Sequence, residues 1–271
     1  MPELPEVETT RIGISSHALG KTISEIIIRN RRLRWPVPRQ LEKKISGQTI
    51  RKISRRAKYL LFHFETGCMI MHLGMSGSLR ILTAAIPPEK HDHVDLVFAS
   101  GSRLRFRDPR RFGCILWTEA EPEQHKLLSG LGPEPLNDEL SGDYLFRRSR
   151  KRTQSIKSYI MDSHTVVGVG NIYANESLFM AGINPARKAG KITRERYDKL
   201  AQSVKTILKL ALAKGGTTLR DFVNGEGEPG YFRHELQIYD RAGEPCRKCK
   251  SLIKMKRLSQ RSTFYCPKCQ Q

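Results

Sequence analysis

The chain opens MPELPEVETT, and its first residues able to do chemistry are Pro2, Glu3 and Glu6. Aminopeptidases commonly remove a methionine that precedes a small side chain, and loss of Met1 would leave Pro2 with a free secondary amine. An α-amino group has a reference pKa of about 8 against about 10.4 for lysine. Roughly a tenth of it is therefore unprotonated at neutral pH, where an unperturbed lysine offers well under about a thousandth. A secondary amine that condenses with a sugar C1′ gives an iminium that cannot shed its charge by N-deprotonation, so the adduct stays an electron sink. Such chemistry needs proton carriers beside the nucleophile, and Glu3 and Glu6 lie within one turn of it. The plainer account of the same residues is a helix start, with prolines in the first turn and glutamates at the positive end of the dipole. With Leu4, Val7, Ile14 and Ala18 at helical spacing, it predicts a helix from Pro5 to Ala18, stopped by Gly20. That account leaves Pro2 unexplained.

A second chemical signal lies at the other end. CRKC (Cys246, Cys249) and CPKC (Cys266, Cys269) are separated by sixteen residues, the spacing of a zinc ribbon. A disulfide-stapled secreted module would use similar cysteines. The chain is long, shows no apolar leader and confines the four to one end, so Zn2+ is the favoured reading. Four thiolates close the tetrahedron and leave no position for a reactive water, so the ion is structural. Cys68 and Cys114 stand alone in apolar surroundings and read as inert core thiols.

These groups must be positioned by elements that the composition and patterning outline. Among 271 residues, Lys and Arg number 48 against 27 Asp and Glu, a formal charge of +21 that calls for a polyanionic partner, nucleic acid first. The hydrophobic content of 38% is globular rather than that of a disordered basic tail, and no apolar run or lipidation motif points to a membrane. Cytoplasmic, nucleoid-associated localisation is the expectation. Short runs after the first helix, TISEIIIRN, TIRKIS, YLLFHFE, CMIMHLGM, GSLRIL, HVDLVFA, SRLRFR and GCILWTE, read as half-buried antiparallel strands of a β-sandwich or barrel. Breaker residues from LGPEPLNDELSGDY mark a linker. Helical spacing then runs through NIYANESLFMAGI and through Tyr197, Leu200, Val204, Ile207, Leu208 and Ala211. The division expected is a catalytic domain over 1–131, a linker over 132–150, a helical domain over 151–235 and a zinc finger over 236–271. The fold class is α+β.

Taken together, PELPEVE, RRAKYLL, HLGMSGSL, KHDHVD, DPRRFG, VGVGNIYANE and the four-cysteine ending resemble bacterial formamidopyrimidine-DNA glycosylase over essentially the whole chain. The resemblance implies a monomeric bifunctional repair enzyme that excises oxidised purines from double-stranded DNA and cleaves at abasic sites. It implies a β-sandwich joined to a helical domain with a helix-two-turn-helix and a zinc finger. By motif, Pro2 would be the Schiff-base nucleophile, Glu3 the proton donor in base release, and Glu6 a supporting carboxylate. Lys58 would donate a proton in β-elimination, and Arg261 would serve δ-elimination and clasp phosphate. Met75, Arg110 and Phe112 would form the wedge that fills the gap left by a flipped nucleotide, where stacking offsets an unstacking cost of a few kcal/mol. His91 would contact DNA with Arg110 and Lys151 beside it, whereas the residues alone offer His91 and His93 as a metal pair or as strand-edge histidines and prefer the second. Lys157 and Asn171 would contact phosphate, and a glycine-rich loop at 215–230 would close over the extruded base.

Each assignment has a plainer counterpart: solvated surface charge for Lys58 and Arg261, core packing for Met75 and Phe112. Tyr239 and Phe264 read as hairpin packing. Two other whole-chain readings compete. An endonuclease VIII-like glycosylase shares the proline chemistry but prefers oxidised pyrimidines. A zinc-dependent DNA-binding protein without catalysis fits the charge and cysteines, but needs neither a prolyl amine nor Glu3.

Overall fold

The computed structural model describes residues 2–217 and 232–271. Met1 and most of the glycine-rich stretch lie outside the described residues, and with them the expectations about methionine removal and a closing loop. Of the described residues, 2–129 with 214–217 form one compact unit, and 130–213 with 232–271 form a second.

The first unit begins with α1 (Leu4–Ala18), followed by β1 (Ile23–Ile28), α2 (Leu41–Ile45) and seven further strands. These are β2 (Lys52–Arg56), β3 (Tyr59–His63), β4 (Cys68–His72), β5 (Ser78–Leu82), β6 (Asp92–Phe98), β7 (Arg103–Arg107) and β8 (Cys114–Thr118). They build two antiparallel four-stranded sheets, ordered β1-β6-β7-β5 and β2-β3-β4-β8. The registers Ile26↔Leu96 and Leu96↔Leu104 in one sheet, and Leu60↔Met71 and Met71↔Ile115 in the other, line up apolar rows. Those rows meet in one core with Phe62, Phe98 and Phe106, the arrangement of a sandwich. α1 buries Leu4, Val7, Ile14 and Ala18 and packs on β2, β3 and β5, strands of both sheets.

The polar positions of β6 are not solvated as simple alternation suggests. Asp95 is fully buried, and Arg105 reaches it with Nε at 2.9 Å and Nη2 at 2.8 Å. Burial opposes the Asp95 charge, but its hydrogen bonds to Arg105 and Arg29 prevail and hold the carboxyl down to about 2. Arg105 also donates to the carbonyls of Ile86 and Pro87, so this buried cluster fastens the loop that leads to His91. Cys68 and Cys114 are buried, and burial pushes both thiols up to about 12, as inert core thiols require.

The second unit contains α3 (Gly142–Ser149), α4 (Ile156–Met161), α5 (Asn171–Met180), α6 (Arg194–Ala213) and the antiparallel hairpin β9 (Lys254–Leu258) and β10 (Arg261–Tyr265). The apolar positions read from the sequence of α6 are the ones it buries. Residues 142–149, expected in a linker, instead form a helix. Ser141 caps it by accepting from the Tyr144 N–H at 3.1 Å, and α3 packs on α6. The glycine that reads as a breaker is a packing residue: a Cβ on Gly142 would lie 2.4 Å from the Asp198 backbone nitrogen. Among the described residues no helix is long and apolar enough to cross a membrane.

Candidate active site and nucleic-acid interface

At the start of α1, Pro2 is buried and Glu3 is the N-cap. Glu3 and Glu6 form a reciprocal capping box. The Glu3 side chain accepts from the Glu6 N–H, and Glu6 Oε2 accepts from the Glu3 N–H at 2.8 Å. Both side chains are 2% exposed. The other oxygen, Glu6 Oε1, accepts from the Thr217 N–H at 2.7 Å. The helix-start account of these glutamates therefore holds, and Glu6 does more: it ties the peptide following Pro2 to Thr217, the last described residue at the start of the glycine-rich stretch.

Lys58 is half-buried on the two-residue turn between β2 and β3. Its neighbour Ala57 has φ 55°, a left-handed conformation that costs a residue with a Cβ roughly 1–2 kcal/mol. Arg55 holds the turn in place. Its Nη1 donates to the Ala57 carbonyl at 2.9 Å and its Nε to Glu8 Oε2 at 2.9 Å, so one guanidinium joins the Lys58 turn to α1. Burial works against the Glu8 charge, but pairing with Arg11 and Arg55 outweighs it and holds the carboxyl below its usual value. Near Lys58, burial and then the charges of Lys58 and Arg34 push His72 down to about 4, which leaves a neutral imidazole. His72 Nδ1 accepts from the Gly74 N–H at 2.9 Å, and the Tyr59 ring packs against it, tilted, with centroids 4.8 Å apart.

Met75 and Phe112 are 37% and 46% exposed, so neither belongs to the core. The Arg110 guanidinium lies 4.9 Å from the centre of the Phe112 ring. A Cβ on Gly74 would fall 2.4 Å from the Phe112 carbonyl carbon, so the Met75 turn and the Phe112 segment are in close contact. His91 is half-buried on the turn before β6. His93 is 4% exposed and its Nε2 lies 2.8 Å from the Asp108 carbonyl oxygen, which makes that nitrogen a donor rather than a metal ligand.

The remaining candidates belong to the second unit. Lys151 is exposed after α3. Lys157 is only 1% exposed, and its Nζ donates to Ser262 O at 2.9 Å and to Thr263 Oγ1 at 2.8 Å. Asn171 opens α5; its Nδ2 donates to Ser262 O at 3.2 Å, and its Oδ1 is buried without a hydrogen-bond partner among the described residues. Arg261 is exposed and follows the tight turn at Ser259 and Gln260, with φ 46° and 61°. A cavity of about 180 Å3 lies between α4 and this hairpin, lined by Lys157, Ser158, Asp162 and Arg261 among others. Asn175 Oδ1 accepts from the Phe264 N–H at 2.8 Å, and the buried Glu176 accepts from the N–H groups of Gln237, Ile238 and Tyr239. Tyr239 packs edge-on against Phe264 at 5.2 Å. Arg55, Glu8, Asp108 and Glu176 were not singled out from the sequence. All but Glu8 sit beside motif residues that were, in RRAKYLL, DPRRFG and NIYANE, and Glu8 is the third of the opening glutamates.

The four cysteines are the one group of candidate metal ligands brought together among the described residues, with all four sulfurs within 4.8 Å of one another. Cys246 and Cys269 are 4.0 Å apart, Cys249 and Cys266 3.4 Å, and no disulfide joins any of them. A tetrahedral zinc ion with Zn–S bonds of about 2.3 Å sets its sulfurs about 3.8 Å apart, so the cluster fits. It holds one structural zinc ion, with every position taken by sulfur.

The comparisons with known proteins agree along the chain. Residues 1–115 match the formamidopyrimidine-DNA glycosylase N-terminal domain, 131–223 its H2TH domain, and 243–271 the zinc finger found in FPG and IleRS. The formamidopyrimidine-DNA glycosylase of Marinobacter nauticus is 57% identical over 270 residues, covering 100% of both chains. A mutant Lactococcus lactis FPG in complex with Fapy-dG-containing DNA superposes with a TM-score of 0.92 at 34% identity, covering 100% of both chains. The same organism's Fpg with abasic-site DNA gives 0.90 at 34% identity over 99% of each. With the family's domains in order and a relative matched from end to end, the chain belongs to the formamidopyrimidine-DNA glycosylase family of DNA repair enzymes.

Proposed function

We propose that the chain flips oxidised purines, 8-oxoguanine and formamidopyrimidines, out of duplex DNA, excises them through a Schiff base on Pro2, and cleaves the strand by β,δ-elimination. The observation that carries this reading is the anchoring of the Pro2–Glu3 segment, buried and fixed by the Glu6 capping box at the head of α1. Once Met1 is removed, the Pro2 nitrogen attacks C1′ and the C1′–N bond to the base breaks as Glu3 donates a proton to the leaving base. The prolyl N–H proton then passes to O4′ as the C1′–O4′ bond opens, and the resulting iminium acidifies C2′. Proton loss there expels the 3′ phosphate, with Lys58 as proton donor in β-elimination, and Arg261 serves the δ-elimination that expels the 5′ phosphate. Met75, Arg110 and Phe112 occupy the gap in the stack. Their exposure supports this, since an apolar side chain left in water needs a partner. His91 and Lys151 contact the DNA and Asn171 its phosphate backbone, while the buried Lys157 supports that contact from behind through the Ser262 carbonyl it shares with Asn171 rather than touching phosphate itself. In this scheme residues 1–131 carry the chemistry except for the part of Arg261, while 151–235 and the finger at 236–271 grip the duplex.

Borohydride trapping on a duplex with one 8-oxoguanine opposite cytosine, followed by mass mapping, tests the scheme. An adduct on Pro2 is expected. Absence of an adduct from protein that lacks Met1 and binds the duplex would overturn it, and a clear preference for thymine glycol would move the substrate to oxidised pyrimidines.

A further inference from the structure

Beyond the residues assigned so far, one buried acid connects every part of the edge that would meet the flipped-out site. Asp108 lies at the end of β7 and is 0% exposed. Its Oδ1 accepts from Ser76 Oγ at 2.9 Å and from the Arg110 N–H at 3.3 Å, and its Oδ2 accepts from the Gly113 N–H at 2.8 Å. Its own backbone N–H donates to the His91 carbonyl at 3.0 Å, and its carbonyl accepts from His93 Nε2 at 2.8 Å. Three segments distant in sequence therefore converge on one residue: the Met75–Ser76 turn, the His91–His93 strand start and the Arg110–Gly113 loop. Ser76 follows Met75 directly, and Arg110 and Gly113 bracket Phe112. The loop is not held by a relaxed backbone, since Arg111 has φ 55°, so its shape depends on side-chain anchoring.

We propose that Asp108 is the positioning residue of the wedge, holding Met75, Arg110 and Phe112 in the one arrangement that can enter the base stack. This rests on the wedge reading above. A carboxylate is the group required, because both oxygens receive donors. An amide in its place turns its N–H2 toward the Gly113 N–H or toward Ser76 Oγ and the Arg110 N–H; the hydroxyl can accept from it, so the bond lost is one from a backbone N–H of the Arg110–Gly113 loop.

The test compares Asp108→Asn with Met75→Ala on two duplexes, one with 8-oxoguanine opposite cytosine and one with an abasic site, where no base has to be unstacked. Asp108→Asn should lower kcat/KM on the lesion duplex about ten-fold, while abasic-site cleavage changes less than about two-fold. The fluorescence rise of a 2-aminopurine placed beside the lesion should also be lost. A purely structural role would lower both activities together, and that result overturns the proposal. A selective loss in Met75→Ala without one in Asp108→Asn overturns it alone, whereas selectivity in neither variant overturns the wedge reading with it. Ser76→Ala, which removes one donor to Asp108 and one acceptor of the Arg110 N–H, is the second variant should Asp108→Asn not fold, and the same selectivity is expected.

Discussion

Replacing Glu6 with glutamine isolates what the buried carboxylate does at the head of α1. In the native protein each oxygen receives one backbone N–H, from Glu3 at 2.8 Å and from Thr217 at 2.7 Å, and the side chain is 2% exposed. Glutamine keeps one acceptor and turns the other atom into a donor that faces a backbone N–H. One buried hydrogen bond to a charged group is lost and its donor is stranded, which costs about 1.5–3 kcal/mol. For a chain of this size about 1 kcal/mol moves Tm by roughly 2–4 °C, so Glu6→Gln should melt roughly 3–12 °C lower by calorimetry. Whichever way the amide turns, it releases either the Glu3 backbone or Thr217, so borohydride trapping on a lesion duplex should also slow. A variant that melts within about 1 °C of the parent and traps at the same rate would show that the two hydrogen bonds do not organise the site.

Three further outcomes are expected. Arg55→Ala frees the Ala57 carbonyl and the Glu8 bridge, so strand cleavage at an abasic site should slow about ten-fold in single-turnover assays with duplex affinity unchanged; an equal loss of affinity would contradict the positioning role. Removing zinc by chelation, or Cys249→Ser, should release the metal and loosen the hairpin that carries Arg261. Metal analysis and duplex binding should then fall together, the affinity by more than about ten-fold. His72 has a folded pKa of about 4 against an ordinary 6.5, so the folded state excludes a proton that the unfolded chain takes up. Its contribution to stability is complete above about 6.5 and is lost as pH falls toward about 4, a slope that denaturation midpoints across that range should show and His72→Gln should flatten.

Several features are legible from local pattern alone. The eight strand runs follow from short alternating or apolar stretches bounded by turn residues, and α1, α5 and the apolar face of α6 from helical spacing, although β3, β4, β6 and α5 are buried on more than one face. Cysteine spacing reveals the metal site for a similar reason, since two tight turns each supply a pair of ligands. The glutamates at positions 3 and 6 can be read both as proton carriers and as a helix start, and their capping box bears out the second reading.

Long-range convergence is not legible in this way. Nothing in DPRRFG says that its aspartate would collect hydrogen bonds from residues 32 positions earlier at Ser76 and 5 positions later at Gly113. Lys157 reads as one more surface cation in a basic chain, yet its ammonium is buried against a hairpin 105 residues away. Gly142 reads as a breaker, yet it is the place where two helices touch. The sequence alone determined most of the elements and the four zinc ligands, because those depend on neighbours a few residues apart. Which polar groups are buried together, and so which side chains are fixed and which are left exposed to meet a partner, was decided only by tertiary structure, because a buried donor must find its acceptor wherever the fold brings one.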